Sequence, residues 1–583
     1  MSGVWLQARR QEIRGGRVAV AGILAVMCLV FVARCAWIAR SDSITSDETT
    51  YLVHGLHYWL TGDDLGMWRL GSPRLPHAVH ALASYLALRP AGLLPAGVSD
   101  EERVAWLTRL VLSGSDRVLL PARLVALWWG VGLVLLVYWA AARLRGPVVG
   151  LVAAGLVSMV PEVVAHASIA GSDMAFTASA FLALVLAARY AERPSVGRWV
   201  GVAAGVGLAW AMRHTALLLL PLMGGLHLLV HWRLERPATA WAMFERLVLS
   251  VWASIGLAGV AFLVLWAGDG LQLVTLGEVG QKVTMVKVPQ QVGSVGLSSI
   301  PLPSSALSIV KQVRHQGQGH LAYFLGQSSD QGWPLYFPVA FLLKTPVGLI
   351  ALAVLAVARV RPRYAWDAVV LGFLAILWVV LVRNKVNIGL RYALLTYPIL
   401  VVFAARMFER GMLRDRVWGP VTVAAGVWLV VASMGAGTRC LSYFNEVAGG
   451  ARNGWMYLAD SNLDWGQDFG RLESAIRAHQ IHEVTFDLHT ERMLDMPGVF
   501  GVAYPARSLQ VPDVTPPNRR LYDSEGGYLP VYTRYMAVSA TRLLGLYSQN
   551  DVSYLRTRRL VERVGDSIFL FDLDQPAERP FCQ

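Results

Sequence analysis

Apolar stretches of membrane-spanning length recur along this chain, and they constrain its fold more than any other feature. The segments are 18–38, 118–142, 147–164, 174–188, 199–212, 214–230, 246–267, 336–357, 365–382, 392–408 and 417–438. About 20 apolar residues suffice to cross a bilayer as a helix. Lipid offers backbone groups no partner, so each run must satisfy its own hydrogen bonds and be helical. The expected fold is therefore an α-helical polytopic membrane protein with about eleven transmembrane helices. Composition agrees. Of 583 residues, 55% are hydrophobic and 16% charged, whereas soluble domains carry about 25% charged residues.

A net charge of +13 raises the question of a nucleic-acid partner. The charges sit instead in short clusters between apolar runs, which is how membrane topology is written, so nucleic acid is excluded. With the N-terminus inside, the cytoplasmic connections are Arg143–Arg145, Arg189–Arg198, Arg233–Arg246, Arg359–Arg363 and Arg406–Arg416, each short and Arg-rich. Residues 1–17 then form a cytoplasmic tail, and the module 18–438 carries two large outer loops, 39–117 and 268–335. An odd number of crossings places the C-terminus outside. The run from Val18 to Ile38 follows a basic start but is too long for a signal peptide, and no A-x-A site follows. It reads as a retained anchor, with Arg34 expected to snorkel to the headgroups. The apolar segment 77–97 reads as re-entrant or interfacial.

From Thr438 onward the pattern changes. An amphipathic helix is expected over Asp464–Gln480, and strands over Val484–Leu488, Tyr535–Ala540 and Ser567–Phe571. Residues 439–583 thus read as a small α/β extracytoplasmic domain. Of four cysteines, Cys28 and Cys35 lie in the first apolar segment; only Cys440 and Cys582 are placed to pair outside, and no spacing suggests zinc.

Several residues can carry chemistry. The first outer loop opens with Thr45-Ser-Asp47-Glu48-Thr-Thr-Tyr51; on a helix, Asp47, Tyr51, His54 and Tyr58 share a face. A carboxylate at the outer membrane surface can act as general base toward a hydroxyl. The plainer reading is that Thr45-x-x-Glu48 is a capping box. A second acid, Asp173, follows His166 in a short outer connection, where Ser172 or Asp173 can instead cap the next helix. Positive charges on the outer side run against the topology rule and need another reason. They are Arg123, Arg213, His214, Lys344, Arg383, Lys385 and Arg391. An intramembrane Lys costs roughly 2.5–3.5 kcal/mol on insertion scales unless it meets a carboxylate or an anion. A phosphate at the interface fits these residues; so does an internal ion pair with Asp47, Glu48 or Asp173. The run Asp460-Ser-Asn-Leu-Asp464-Trp465-Gly-Gln-Asp468 imitates a calcium loop, but Trp465 replaces the required glycine and Arg471 the final Glu. It reads as a turn before a helix.

The ordered set resembles the GT-C superfamily of polyprenyl-phosphate-sugar-dependent glycosyltransferases, in its protein O-mannosyltransferase and aminoarabinose transferase branch. The resemblance rests on Ser46-Asp47-Glu48-x-x-Tyr51, His166 with Ser172-Asp173-Met174, Phe341-Leu-Leu-Lys344-Thr-Pro346, Gly389-Leu-Arg391-Tyr-x-Leu-x-x-Tyr-Pro398, and Tyr443-Phe-Asn-Glu446-x-Ala-Gly-Gly450 through Asp468. It departs at Arg213-His214, where a Thr-Lys pair is usual, and at Ser72-Pro-Arg-Leu-Pro76, which replaces a His-Pro-Pro-Leu run. The resemblance implies an inner-membrane enzyme that moves a sugar, with inversion, from an undecaprenyl-phosphate-type donor at the outer face. Asp47 would be the base, with Glu48 and Asp173 in the acidic site. Tyr51 and His166 would line it, and Lys344 and Arg391 would hold the donor phosphate, backed by Arg213, Arg383 and Lys385. This chemistry calls for no metal or other cofactor. The acceptor, whether protein, lipid or glycan, stays open. The competing reading is a transporter or flippase of lipid-linked sugars, which also needs intramembrane charge; the chain has no inverted repeat of the kind many transporters carry. A structural subunit with a partner-binding C-terminal domain is the third.

Overall fold

The computed structural model describes residues 2–63, 67, 70–92, 95, 97–234, 239–275, 291–292, 295–296, 301–362, 365–482, 484–489, 520–522, 528–530, 533–547 and 553–578. Its helical part begins with α1 (Ser2–Ser41), followed in the first large loop by α2 (Ser46–Thr61), α3 (Arg74–Leu88) and α4 (Asp100–Leu112). The bundle continues through α5 (Asp116–Arg145), α6 (Pro147–Ser158), α7 (Pro161–Ala167), α8 (Ser172–Glu192), α9 (Val196–Met212), α10 (Leu219–Leu234) and α11 (Ala240–Gly268). The second large loop holds the paired strands β1 (Leu273–Thr275) and β2 (Pro301–Pro303), the helix α12 (Ser304–Gln318) and a hairpin, β3 (Ala322–Phe324) with β4 (Gln327–Ser329). Then come α13 (Tyr336–Lys344), α14 (Val347–Arg359), α15 (Ala365–Arg383), α16 (Thr396–Ala404) and α17 (Trp418–Gly435).

Among the described residues, seven helices are long and apolar enough to cross a membrane. Two bent pairs, α6 with α7 at 70° and α13 with α14 at 111°, raise the number to nine. The sequence expectation of about eleven differs because two segments form shorter apolar helices, Val196–Met212 and Thr396–Phe408. The first stops where Arg213 turns extended, at φ −161°. Pro161 and Pro346 stand at the two bends: Pro161 is the first residue of α7, and Pro346 is the N-cap just before α14.

α8 lies at the centre, buried along most of its length, while α1 and α11 turn Val26, Leu29, Trp37, Trp252, Ile255 and Leu263 outward. Apolar residues on that outer surface suit lipid rather than water. Helices meet at small residues, as they do where no hydrophobic force drives them together. A Cβ on Gly207 would sit 2.6 Å from Val264, so α9 and α11 approach only because that residue is glycine. Of the segment 77–97, residues 77–92 belong to the amphipathic helix α3 and the turn after it, and α3 packs on α2 and α5.

Arg34 departs from its expected place. It is buried, and it donates to the Ser433 hydroxyl at 2.8 Å and to the Cys440 sulfur at 3.2 Å. A polar partner on the last span holds the guanidinium more cheaply than a stretched reach to headgroups. The proposed partner of Cys440, Cys582, lies outside the described residues.

The C-terminal region forms a four-stranded sheet beside helix α18 (Phe469–Ala478). Its strands are β5 (Val484–Asp487), β6 (Tyr535–Ser539), β7 (Arg558–Val564) and β8 (Ile568–Pro576), in the order β7-β8-β6-β5. β5 and β6 run parallel, and the other pairs antiparallel. Phe469, Leu472 and Ile476 of α18 pack on Val484, Ala537 and Leu570 of the sheet. The helix is shorter than its expected span, because residues 460–468 form turns whose polar side chains are drawn into the bundle.

Candidate active site

Two adjacent acids at the start of α2 part company. Successive residues on a helix point about 100° apart, so Asp47 and Glu48 face different neighbours. Glu48 turns into the bundle and is fully buried. It accepts the Thr45 backbone N–H at 2.9 Å, as a capping box requires, and the Ala170 N–H at 2.8 Å. Arg123 of α5 donates to both carboxylate oxygens, at 2.8 and 2.7 Å. Burial would raise this carboxyl, but Arg123 and the two amides outweigh it and hold Glu48 below the usual carboxylate range. The geometry therefore gives Glu48 an anchoring place and not the catalytic one expected of it, because its lone pairs are already taken. Glu48→Gln is expected to destabilise the protein by about 3–5 kcal/mol, since it leaves Arg123 buried without its counter-charge. Thermal unfolding in detergent measures this, and an unchanged midpoint would rule out the anchor.

Asp47 turns the other way, into a cavity of about 290 Å³. Tyr51, His77, Ser172, Arg213, Arg391 and Tyr392 also line it. Asp47 pairs with Arg391, and Arg213 pairs with Asp173. Arg391 also lies 3.8 Å from Asp173, so two carboxylates and two guanidiniums interlock. The Tyr51 hydroxyl donates to Ser172 at 2.7 Å, and its ring stacks on His77 with centroids 4.1 Å apart. Burial, with His54 and His80 nearby, pushes the His77 imidazole well below its usual value, so a neutral ring faces Tyr51. Neither Ser172 nor Asp173 caps α8; the N-cap is Gly171, with no side-chain bond.

Behind the cavity the charges continue inward. His166 stands between Asp173, at 3.9 Å, and Glu162, at 3.6 Å. The other oxygen of Glu162 meets Lys344 Nζ at 2.8 Å. Lys344 is buried and also donates to the carbonyls of Leu441, at 2.8 Å, and Asn462. The ammonium is thus held by two carbonyls and the charge of one buried carboxylate. Lys344 therefore does not line the cavity that Arg391 lines, where the sequence suggested one shared site; a buried acid absent from that reading pairs with it. Glu162 had left a signal, since it is an acid inside the apolar segment 147–164. Arg383 and Lys385 are exposed and do not line the cavity; Lys385 bonds the Gln331 side chain at 3.0 Å. The site thus gathers Asp47, Tyr51, Asp173, Arg213 and Arg391, keeps His166 one layer below, and adds His77 and Tyr392. His77 carried no signal of its own and Tyr392 only its place in the 389–398 motif; the packing of α3 and of the 388–393 turn brings both here.

Residues 103–258 match the family model described as "Dolichyl-phosphate-mannose-protein mannosyltransferase". Among curated proteins none matches. Among solved structures the chain is similar to ArnT from Cupriavidus metallidurans bound to undecaprenyl phosphate, at 14% identity, over 96% of this chain and 98% of that one, with a TM-score of 0.41. It is also similar to the Archaeoglobus fulgidus oligosaccharyltransferase in complex with Zn and sulfate, at 12% identity, over 70% of this chain and 53% of that one, with a TM-score of 0.38. A further similar structure is AglB from the same organism with an inhibitory peptide and a dolichol-phosphate, at 12% identity, over 85% and 62%, with a TM-score of 0.39.

Proposed function

Proceeding from a membrane chain whose motifs and family match both point to GT-C glycosyltransferases, we propose that the protein transfers a sugar from a polyprenyl-phosphate donor to an acceptor hydroxyl. The observation that carries this reading is the single cavity in which one carboxylate, Asp47, faces two guanidiniums, Arg213 and Arg391. In this reading the cavity faces the extracytoplasmic side, which the Arg-rich connections at the opposite ends of the helices support.

The donor phosphate binds Arg391 and Arg213, which offer paired N–H groups suited to its oxygens. In the resting protein Arg391 is paired with Asp47. Arrival of a phosphate gives that guanidinium a second anion and loosens its hold on Asp47. Asp47 then takes the proton of the acceptor hydroxyl as its oxygen attacks the anomeric carbon. The new glycosidic bond forms from the face opposite the phosphate, the bond from that carbon to the phosphate oxygen breaks, and configuration inverts. The negative charge that develops on the leaving phosphate falls where the two guanidiniums already point, which is worth most in a site shielded from water. Asp173 steadies both cations between turnovers.

Binding of undecaprenyl phosphate to the purified protein tests the assignment. A charge-assisted hydrogen bond is worth about 1.5–3 kcal/mol, so Arg391→Ala and Arg213→Ala are each expected to weaken binding about ten- to hundredfold. Arg383→Ala, on an exposed helix end, should bind as wild type. Equal binding by all three variants would remove the phosphate from this cavity.

A further inference from the structure

The segment Asp460–Asp468 touches both halves of the cavity. On one side it grips the turn that carries Arg391. The Ser461 hydroxyl donates to the Ile388 carbonyl, and the Asn462 side chain accepts the Leu390 N–H at 3.0 Å. Gly389 lets the two strands of chain approach, because a Cβ there would collide with the Ser461 oxygen. The Trp465 ring then lies under the guanidinium of Arg391, 4.6 Å from its centre. On the other side the segment grips the start of α2. The Trp465 carbonyl accepts the Ser46 N–H at 3.1 Å, and the Gln467 carbonyl accepts the Ser43 N–H at 2.9 Å. Ser46 immediately precedes Asp47.

The segment is itself fixed from the C-terminal sheet. Asp464 accepts the Thr541 N–H at 3.0 Å, and Asp468 accepts the N–H groups of Asp566 and Ser567 at 3.1 and 3.2 Å. Its carboxylates are thus engaged in holding chain to chain. Trp465 is the one residue of the segment that reaches Asp47's helix with its backbone and Arg391 with its side chain.

We infer that Trp465 is a positioning residue, through which the C-terminal domain holds Arg391 at the height of Asp47 so that the donor phosphate is met by a preset guanidinium. A flat aromatic face beneath a guanidinium attracts it without competing for its N–H donors, which leaves them free to turn from Asp47 to a phosphate. This rests on the reading of Arg391 as a phosphate ligand.

The test is a double-mutant cycle on undecaprenyl phosphate binding, with thermal unfolding measured on every variant. Trp465→Leu removes the aromatic face and keeps the backbone contacts to α2. A desolvated cation–π contact predicts a loss of about tenfold in affinity. In the Arg391→Ala background the same substitution should change affinity by less than about twofold, because Trp465 acts through the missing side chain. Trp465→Phe restores a ring and should recover most of the loss, which a merely structural role would not require. Additive losses in the double variant, or wild-type binding by Trp465→Leu beside weak binding by Arg391→Ala, overturn the positioning role alone. Wild-type binding by Arg391→Ala overturns the phosphate assignment, and the positioning role with it. Should Trp465→Leu fail to fold, the same cycle is run with Trp465→Met, which also lacks the ring; wild-type affinity there, or a loss that persists undiminished in the Arg391→Ala background, overturns the inference.

Discussion

The Asp47→Asn protein is expected to lose about 10²–10⁴-fold in turnover, the usual contribution of a positioned general base, while it folds normally and still binds undecaprenyl phosphate. Asn keeps the size and local hydrogen bonding of the acid at the first turn of α2 but cannot take a proton. Folding should survive because Asp47 faces a cavity and its anchoring neighbour Glu48 is untouched. Phosphate binding should hold or strengthen, because Arg391 loses the resting partner that competes with the donor. The measurement is release of polyprenyl phosphate from a panel of polyprenyl-phospho-sugars, beside direct binding of undecaprenyl phosphate. Turnover within a few-fold of wild type would leave Asp47 as the partner of Arg391 and nothing more.

Lys344→Met should have the opposite signature, a collapse of stability rather than a selective loss of donor binding. Its ammonium is buried against Glu162 and two carbonyls. Removing it strands a buried carboxylate, at a cost of roughly 3–5 kcal/mol. The double variant Lys344→Met with Glu162→Gln removes both charges and should regain much of the loss, since buried pairs are often replaceable as a pair even where neither partner is replaceable alone. Thermal unfolding in detergent reads both. A Lys344→Met protein with a wild-type midpoint and weakened undecaprenyl phosphate binding would return Lys344 to the phosphate site.

These two residues show how a charge in an apolar chain divides into two meanings. Asp47 stands out in the sequence as an acid at the start of an outer loop, and Lys344 as a cation inside an apolar run. One ends at the wall of a cavity and the other inside a closed network. Insertion cost flags that a charge has a purpose, but it does not say whether the compensating partner is a side chain or a ligand.

The sequence by itself determined the elements. Runs of about 20 apolar residues have to be helices in lipid, and the helices of the bundle fall on those runs. Strand-like alternation at Val484, Tyr535 and Ser567 fell on three of the four strands of the C-terminal sheet. β7, an Arg- and Glu-bearing strand at the edge of that sheet, had too little apolar alternation to stand out. These are local signals, carried by residues a few positions apart. Only the tertiary structure decided the partners. Glu48 and Arg123 are 75 positions apart, and Asp47 and Arg391 are 344 apart. Which neighbour each acid meets depends on a rotation of about 100° between adjacent helix positions and on how α2, α5 and the 388–393 turn pack. The same packing turned Arg34 inward to Ser433, gave Lys344 to Glu162, and set Trp465 beneath Arg391. A charged group near lipid takes the nearest compensating group in space, and nearness in space across hundreds of residues is not written in any local stretch of chain.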